Sequence, residues 1–314
     1  MKSISLVIPV KNEAKTAQAL IDSIALQTVL PAEVIFIDGG SSDGTVDIVK
    51  ANAGKFSFDI RVIEAKKAFP GEARNIGIKM SRNNVIAFTD AGITLDKSWL
   101  EELARPMDID ESIEAIYGAY EPVVDSFLRE CSLVAYVPPR ERVDGKLFRT
   151  NFIASSLFRK SACEKAGFFP PFRAAEDRIF MENVKKSGAK TAYTDKAIAR
   201  WEIPGTIEGI FRRFCEFSYH DILAGRAKDW HYSVLRTYSI MAAFLLLGIF
   251  VMPIFYWGIP LLWFARLVNI YNKRKSELKP AFMFDPRYVF TICLIVFVTD
   301  FALFCGSIRH LRKR

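Results

Sequence analysis

Two hydrophobic periods alternate along the first two thirds of the chain. Ile4 to Val10 is short, β-branched and mostly apolar, the pattern of a buried strand. Ala17, Leu20, Ile21 and Ile24 then recur at i, i+3, i+4 and i+7, which predicts an amphipathic helix. Val34 to Ile37 reads as a second strand, followed by a helix from about Thr45 that Ser42 or Asp43 is placed to cap. Ile60 to Ile63 and Val85 to Phe88 supply two more strands, and Asp96 is placed to cap a helix at Lys97. Further on, Asn151 to Arg159 alternates weakly, Ala175 to Ser187 reads as a helix stopped by Gly188, Thr191 to Ala199 as a strand, and residues 205–224 as an amphipathic helix. Strands alternating with helices predict an α/β fold, Rossmann-like, with a mostly parallel sheet.

The pattern changes near residue 232. Thr237 to Ala265 carries no charged residue, and with Arg266 snorkelling the apolar run extends over 237–271. Tyr288 to Ile308 carries one charge, Asp300. A single span needs roughly 20 apolar residues and a hairpin roughly 40. Pro253, Gly258 and Pro260 fall mid-run, where they kink or turn the chain. The expected organisation is a catalytic domain over 1–232 and a membrane-anchoring helical region over 233–314, with two or three transmembrane or interfacial helices. Asp300 is either a packing contact inside the bundle or a functional group.

Charge refines this picture. The chain has 314 residues and a net charge of +8. Much of the excess flanks the apolar runs: Lys273, Arg274, Lys275 and Lys279, then Arg309, Arg312, Lys313 and Arg314. That placement suits a lipid surface and excludes a nucleic-acid partner as the main reading, because zinc-type spacing and aromatic RNA-binding signatures are missing. The basic flanks before residue 237, between 272 and 287 and after 308 all prefer the cytoplasm. A hairpin satisfies the first two. A crossing by 288–308 would put the third outside, so either that helix lies in the interface or the rule fails for the tail. The five cysteines are odd in number and scattered, which fits a reduced compartment. The N-terminal segment lacks a signal-peptide pattern, so the catalytic domain is expected on the cytoplasmic side of the inner membrane.

Chemistry-bearing residues gather where the predicted strands end. In such sheets ligands bind beyond the carboxyl ends of the strands. Pro9 is expected to end the first strand, since it cannot donate to a ladder, and the turn runs on through Asn12 to Glu13. Asp38 and Asp90 end the second and fourth strands. Ionised Glu13 and Asp38 are acceptors only and suit base N–H and ribose hydroxyl donors. Asp38 before Gly39-Gly40 also suits a simple Asx-turn. The Arg74 fork matches phosphate oxygens. Arg212 and Arg213 are either an electrostatic clamp or a solvated helix face. Trp201 either stacks on a sugar or fills the core.

Five segments in order resemble family-2 glycosyltransferases of the GT-A fold: "ISLVIPVKNE" (4–13), "VIFIDGGSSDGT" (34–45), "GEARNIGI" (71–78), "VIAFTDAGI" (85–93) and "AAEDRIF" (174–180). The resemblance spans roughly residues 4 to 215. It implies a nucleotide-sugar donor, UDP- or GDP-linked, bound by Pro9, Asn12, Glu13, Asp38, Arg74, Asp90, Arg212 and Arg213. It implies Asp177 as the base that takes the acceptor proton and Glu176 beside it to orient the acceptor, with inversion at the anomeric carbon. Family members carry Asp-x-Asp where this chain has Asp90-Ala91-Gly92, so a divalent metal, Mg²⁺ or Mn²⁺, would rest on Asp90, phosphates and water. The membrane region points to a lipid-linked or cell-envelope glycan acceptor. A nucleotidyltransferase is disfavoured because "PVKNEA" contains no glycine for a phosphate-cradling loop. A nucleotide-binding membrane scaffold without activity is the alternative that the missing carboxylate motivates.

Overall fold

The computed structural model describes residues 3–229, 231–279 and 281–312. Lys313 and Arg314 of the basic tail lie outside the described residues. The strands are β1 (Ile4–Val10), β2 (Glu33–Asp38), β3 (Asp59–Glu64), β4 (Val85–Phe88), β5 (Ile93–Leu95), β6 (Ala115–Val123), β7 (Glu141–Val143), β8 (Lys146–Phe148), β9 (Ser156–Arg159) and β10 (Thr191–Glu202). The helices are α1 (Ala17–Ala25), α2 (Thr45–Asn52), α3 (Pro70–Met80), α4 (Trp99–Ile109), α5 (Phe127–Ala135), α6 (Lys160–Lys165), α7 (Glu176–Lys186), α8 (Ile207–Leu223), α9 (His231–Phe250), α10 (Gly258–Lys273), α11 (Ala281–Phe284) and α12 (Pro286–Leu311).

Two compact units form: Met1–Val123 with Arg140–Glu202, and Val124–Pro139 with Ile203–Arg314. The units part ahead of the expected boundary at 232/233. The reason is local: α5 and α8 bury Cys131, Val134, Ile210 and Phe214 in one apolar cluster with Ile292 and Ile295 of α12.

The first unit is an α/β layer structure around an eight-stranded sheet ordered β3-β2-β1-β4-β9-β6-β10-β5. β3, β2, β1 and β4 run parallel, β9 runs antiparallel between β4 and β6, β10 is parallel to β6, and β5 closes the edge antiparallel. β1 is buried on both faces, as its mostly apolar run suits, and the one polar residue in it, Ser5, donates to Glu33 Oε1 at 2.7 Å. Leu6 and Ile8 pack with Leu20, Ile21 and Trp99 on one face, while Val7 joins Ile78, Phe88 and Phe158 on the other. α3 lies unusually close to β1. A Cβ on Gly77 would fall 2.2 Å from Val7 Cγ1, so only glycine permits that approach.

Some local readings are corrected. Pro9 does not end β1, which continues to Val10 in register with Asp38. Val7 O accepts from Thr89 N at 3.4 Å on the β4 side, and Val10 O accepts from Gly39 N at 2.9 Å on the β2 side. Pro9 therefore faces the side where β4 has ended, and its missing N–H breaks no ladder bond. Asp96 caps nothing with its side chain. α4 begins at Trp99, and the Asp96 carboxylate takes Arg200 Nε at 2.6 Å and Nη2 at 2.9 Å.

The second unit contains three helical segments long and apolar enough to cross a membrane: His231–Phe250, Pro253–Lys273 and Pro286–Leu311. Pro253 opens a short 3₁₀ turn between α9 and α10, at the break the proline and glycine positions predict. Asp300 is 2% exposed and held by Arg266, whose Nη2 lies 2.8 Å from Oδ1, with Tyr238 Oη at 3.1 Å. Arg266 therefore pairs inward instead of snorkelling, and Asp300 is a packing contact among three helices.

Candidate active site

The carboxyl ends of parallel β1, β2 and β4 open on one edge of the sheet, and the turns that leave them interlock. Asn12 N donates to Ser41 Oγ at 2.9 Å, and Ser42 N donates back to Asn12 Oδ1 at 2.9 Å. Glu13 N donates to Thr45 Oγ1 at 2.8 Å, and Ala14 N to Asp43 Oδ2 at 3.0 Å. Asn12 adopts φ +56°, a left-handed conformation that asparagine tolerates better than most residues. Thr16 Oγ1 donates to Glu13 Oε2 at 2.7 Å, which fixes the carboxylate over the turn. Asp43 takes Thr45 N at 3.1 Å in an Asx-type contact ahead of α2.

Asp38 is buried and binds its own loop. Oδ2 takes Gly40 N at 3.0 Å, and Oδ1 takes Ser41 Oγ at 2.5 Å. The Asx-turn is therefore present, and the carboxylate shapes the loop that faces the Asn12 turn.

Arg74 joins two further motifs. It projects from α3 and is 2% exposed. Nη2 donates to Asp90 Oδ1 at 2.6 Å, and Nη1 donates to Glu176 Oε1 at 3.2 Å. Its guanidinium carbon sits 5.4 Å from the Phe169 ring centroid. Arg74 Nε has no hydrogen-bond partner among the described residues, nor has the buried Thr89 Oγ1 beside Asp90. Asn75, the next residue of the same motif, clamps the opposite loop: Nδ2 donates to Phe169 O at 2.8 Å and Oδ1 accepts from Phe169 N at 2.9 Å. A Cβ on Gly71 would lie 2.9 Å from Glu176 Cγ, so the glycine lets the start of α3 meet the start of α7. Phe169 carries no sequence signal of its own. The Asn75 and Gly71 positions were legible only as parts of a motif.

Glu176 and Asp177 open α7, where the helix dipole favours acidic groups. The preceding Ala175 is left-handed at φ +64°, a conformation that costs a side-chain-bearing residue roughly 1–3 kcal/mol. Strain is thus stored at the residue that aims both carboxyls. Asp177 is half-buried. Glu176 is buried, and burial together with the Asp177 charge pushes its carboxyl up to about 8, against the opposing pull of Arg74. For Arg74, burial works against the charge, but Asp90 and Glu176 outweigh it and hold the guanidinium ionised. One cation thus serves three carboxyl groups, and the shortage of positive charge makes Glu176 the group that keeps a proton.

The donor set for a divalent ion is small. Among the described residues no group of three or more His, Cys, Asp and Glu side chains is arranged to hold one. Asp90 Oδ1 is engaged by Arg74, and Oδ2 has no hydrogen-bond partner among the described residues. Gly92 carries no second carboxylate. These residues fit a hard cation that brings its remaining ligands as diphosphate oxygens and water, not an all-protein site.

Not every expected residue meets at this edge. Pro9, Asn12, Glu13, Asp38, Arg74, Asp90, Glu176 and Asp177 belong to the first unit, while Arg212 and Arg213 stand on α8 of the second. Arg212 is 76% exposed and pairs with Glu208 at 2.5 Å. The Arg213 guanidinium lies 5.5 Å from the Phe217 ring centroid. Trp201 is half-buried, with Tyr120 and Phe152 ring centroids each at 6.3 Å.

This arrangement, a mostly parallel α/β sheet with acidic turns along its carboxyl edge, is GT-A-like. The chain aligns over 100% of its length with the mannosyltransferase PcManGT from Pyrobaculum calidifontis in complex with GDP-Man and Mn²⁺, covering 88% of that chain at a TM-score of 0.58 and 17% identity. It covers 92% of residues 1–349 of TarS from Staphylococcus aureus in complex with UDP-GlcNAc, at a TM-score of 0.52 and 17% identity. Both likenesses concern the fold alone. Residues 5–167 match glycosyl transferase family 2, and the chain belongs to that family. Relatives include the O-antigen chain rhamnosyltransferase RfbN of Salmonella typhimurium, 26% identical over 67% of this chain and 70% of RfbN. Glycosyltransferase AglE of Haloferax volcanii is 33% identical over 31% of this chain, a match that spans only 33% of AglE.

Proposed function

We propose that this family-2 glycosyltransferase is membrane-bound and inverting, and that it moves a sugar from a UDP- or GDP-sugar to a lipid-linked or cell-envelope glycan. The observation that carries the reading is Arg74, which ties the Asp90 turn to the Glu176-Asp177 turn and so brings a donor motif and an acid–base motif to one sheet edge. The O-antigen chain named for RfbN is the kind of glycan this reading expects as product. The apolar helices of the second unit support an enzyme held at the inner membrane with its catalytic unit on the cytoplasmic side.

In this mechanism Asn12, Glu13 and Asp38 frame the base and ribose. Arg74 holds Asp90 and Glu176 in place, a positioning role beside any contact with the diphosphate. Asp90 would hold a divalent ion, whose charge would stabilise the departing diphosphate. Asp177 takes the proton from the acceptor hydroxyl as that oxygen bonds to the anomeric carbon. The bond from that carbon to the diphosphate oxygen breaks with its electron pair leaving on the nucleotide. Glu176, keeping its proton near neutral pH, donates a hydrogen bond to the acceptor. Arg212 and Arg213 remain proposed as a clamp on the leaving nucleotide.

A second reading, a nucleotide-binding membrane scaffold without turnover, is favoured by Gly92 standing where a carboxylate is expected. Calorimetric titration of detergent-purified protein with UDP, GDP, CMP and dTDP, each with and without Mn²⁺, tests both. Binding of UDP or GDP, weakened in Glu13→Ala, together with turnover of the matching nucleotide-sugar supports the transferase. Binding without turnover supports the scaffold, and no binding by any nucleotide overturns both.

A further inference from the structure

We propose that α12 lies along the membrane interface instead of crossing the bilayer, so that only the α9–α10 hairpin enters the hydrocarbon and both ends of α12 stay on one side. By length and composition all three apolar segments could cross a membrane, and α12 is the longest and most apolar of them. Their packing separates them. α12 is flanked by two charged, non-membrane helices, α5 near its start and α8 near its end. Tyr288 Oη donates to Glu130 Oε2 of α5 at 2.6 Å. Cys215 Sγ donates to Ala302 O at 3.3 Å, Ser218 Oγ donates to Leu303 O at 2.7 Å, and Glu216 pairs with Arg309, all from α8. A Cβ on Gly306 would lie 2.5 Å from Ser218 Cβ, so the two helices touch backbone to side chain.

Neither flanking helix suits hydrocarbon. α8 carries Glu208, Arg212, Arg213, Glu216, His220 and Asp221, and charged side chains at the bilayer centre are costly. On α5, Glu130 also takes Lys279 Nζ at 2.6 Å. From Tyr288 to Ala302 the helix rises only about 21 Å at the standard pitch. The hydrocarbon core is about 30 Å thick. α5 and α8 therefore have no room to stand on opposite sides of a bilayer that α12 crosses between them.

The free face of α12 has the pattern of an interfacial helix. Phe290, Leu294, Phe297, Phe301, Ile308 and Leu311 are exposed, and helical spacing places all six on one stripe. Ile292, Ile295, Val296, Thr299, Ala302 and Leu303 turn the other way and are buried. An apolar stripe facing outward over a layer of charged helices is what a leaflet surface accepts. Lys273, Lys275, Arg309 and Arg312 lie near the ends of the stripe in sequence and complement anionic headgroups. The hairpin differs: Phe250, Val251, Met252, Ile254 and Trp257 at its tip are all more than half exposed. Asp300 meets Tyr238 and Arg266 at mid-helix positions of α9 and α10, so the pair ties α12 to both arms of the hairpin. In this arrangement all three basic flanks share the cytoplasmic side, and the positive-inside conflict disappears.

The inference rests on the membrane attachment proposed above. It is tested on the full chain carrying one epitope in the turn after Lys275 and another at the C-terminus, in sealed membrane vesicles of known orientation. The expected result is that external protease removes both epitopes in inside-out vesicles and neither in right-side-out vesicles. Removal of one epitope in each orientation overturns the inference while leaving membrane attachment intact. Release of the untagged chain by carbonate washing overturns both.

Discussion

Arg74 and Asp90, sixteen residues apart, meet through a single 2.6 Å hydrogen bond from Nη2 to Oδ1. The other arm of the same guanidinium reaches Glu176, 102 residues from Arg74. A buried cation that bridges the Asp90 carboxylate and the Glu176 carboxyl fixes both turns, and its removal leaves both without their donor. Arg74→Ala is expected to destabilise the first unit by about 1–3 kcal/mol, the cost of leaving polar groups without their partner. Arg74→Lys keeps the charge but lacks the fork, so it should fold and lose most of its turnover. Thermal unfolding and initial rates on both variants check this.

Glu176 makes stability depend on pH in a defined direction. Its carboxyl is raised from about 4.5 to about 8 in the folded protein. A raised acid favours folding when protonated, so its contribution is complete below the unfolded value and is lost as pH climbs through 8. Glu176→Gln should flatten that dependence and melt higher than the parent above pH about 8. Unfolding temperatures across pH about 5 to 9 provide the measurement, and parallel curves for the two proteins would contradict the assignment.

Asp177 is the proposed base. Asp177→Asn should lower kcat by about 10²–10⁴-fold, the range for a lost general base. Nucleotide affinity and unfolding temperature should stay near the parent values. A comparable loss of nucleotide affinity, measured by calorimetry, would reassign Asp177 to donor binding.

Gly77 touches β1 more closely than any other side chain would allow. Gly77→Ala should cost about 1–3 kcal/mol by overpacking against Val7. Val7→Ala in the same chain should return part of that loss, because the clash is with Val7 Cγ1 at 2.2 Å. A double-mutant cycle by chemical denaturation measures the coupling.

The Arg266–Asp300 pair holds α10 to α12. Arg266→Ala leaves a nearly fully buried carboxylate without its cation, and about 3–5 kcal/mol of stability should be lost. The double variant Arg266→Ala with Asp300→Ala should be closer to the parent than the single one. Unfolding in detergent distinguishes the two.

Much of this molecule was legible in one dimension. β1, β2, β3 and β4 each form within a residue of the segments read as strands; β1, β2 and β4 are buried on both faces and so leave a mostly hydrophobic record, while β3 at the edge leaves a weaker one. The Pro253 to Gly258 break and the two apolar runs were likewise written in composition, while the division into three helices came with the structure. β5 and β6 were missed: Ile93–Leu95 is too short to show a period, and Ala115–Val123 mixes Gly118, Glu121 and Pro122 into its run. Sequence alone proposed residues for the site; tertiary structure decided which of them face one another. The antiparallel insertion of β9, the swing of Arg74 between Asp90 and Glu176, the inward pairing of Arg266 and the cover that α8 lays on α12 depend on contacts tens to more than a hundred residues apart. Local pattern records how strongly a segment wants burial. What it is buried against is set only when the chain has closed those loops.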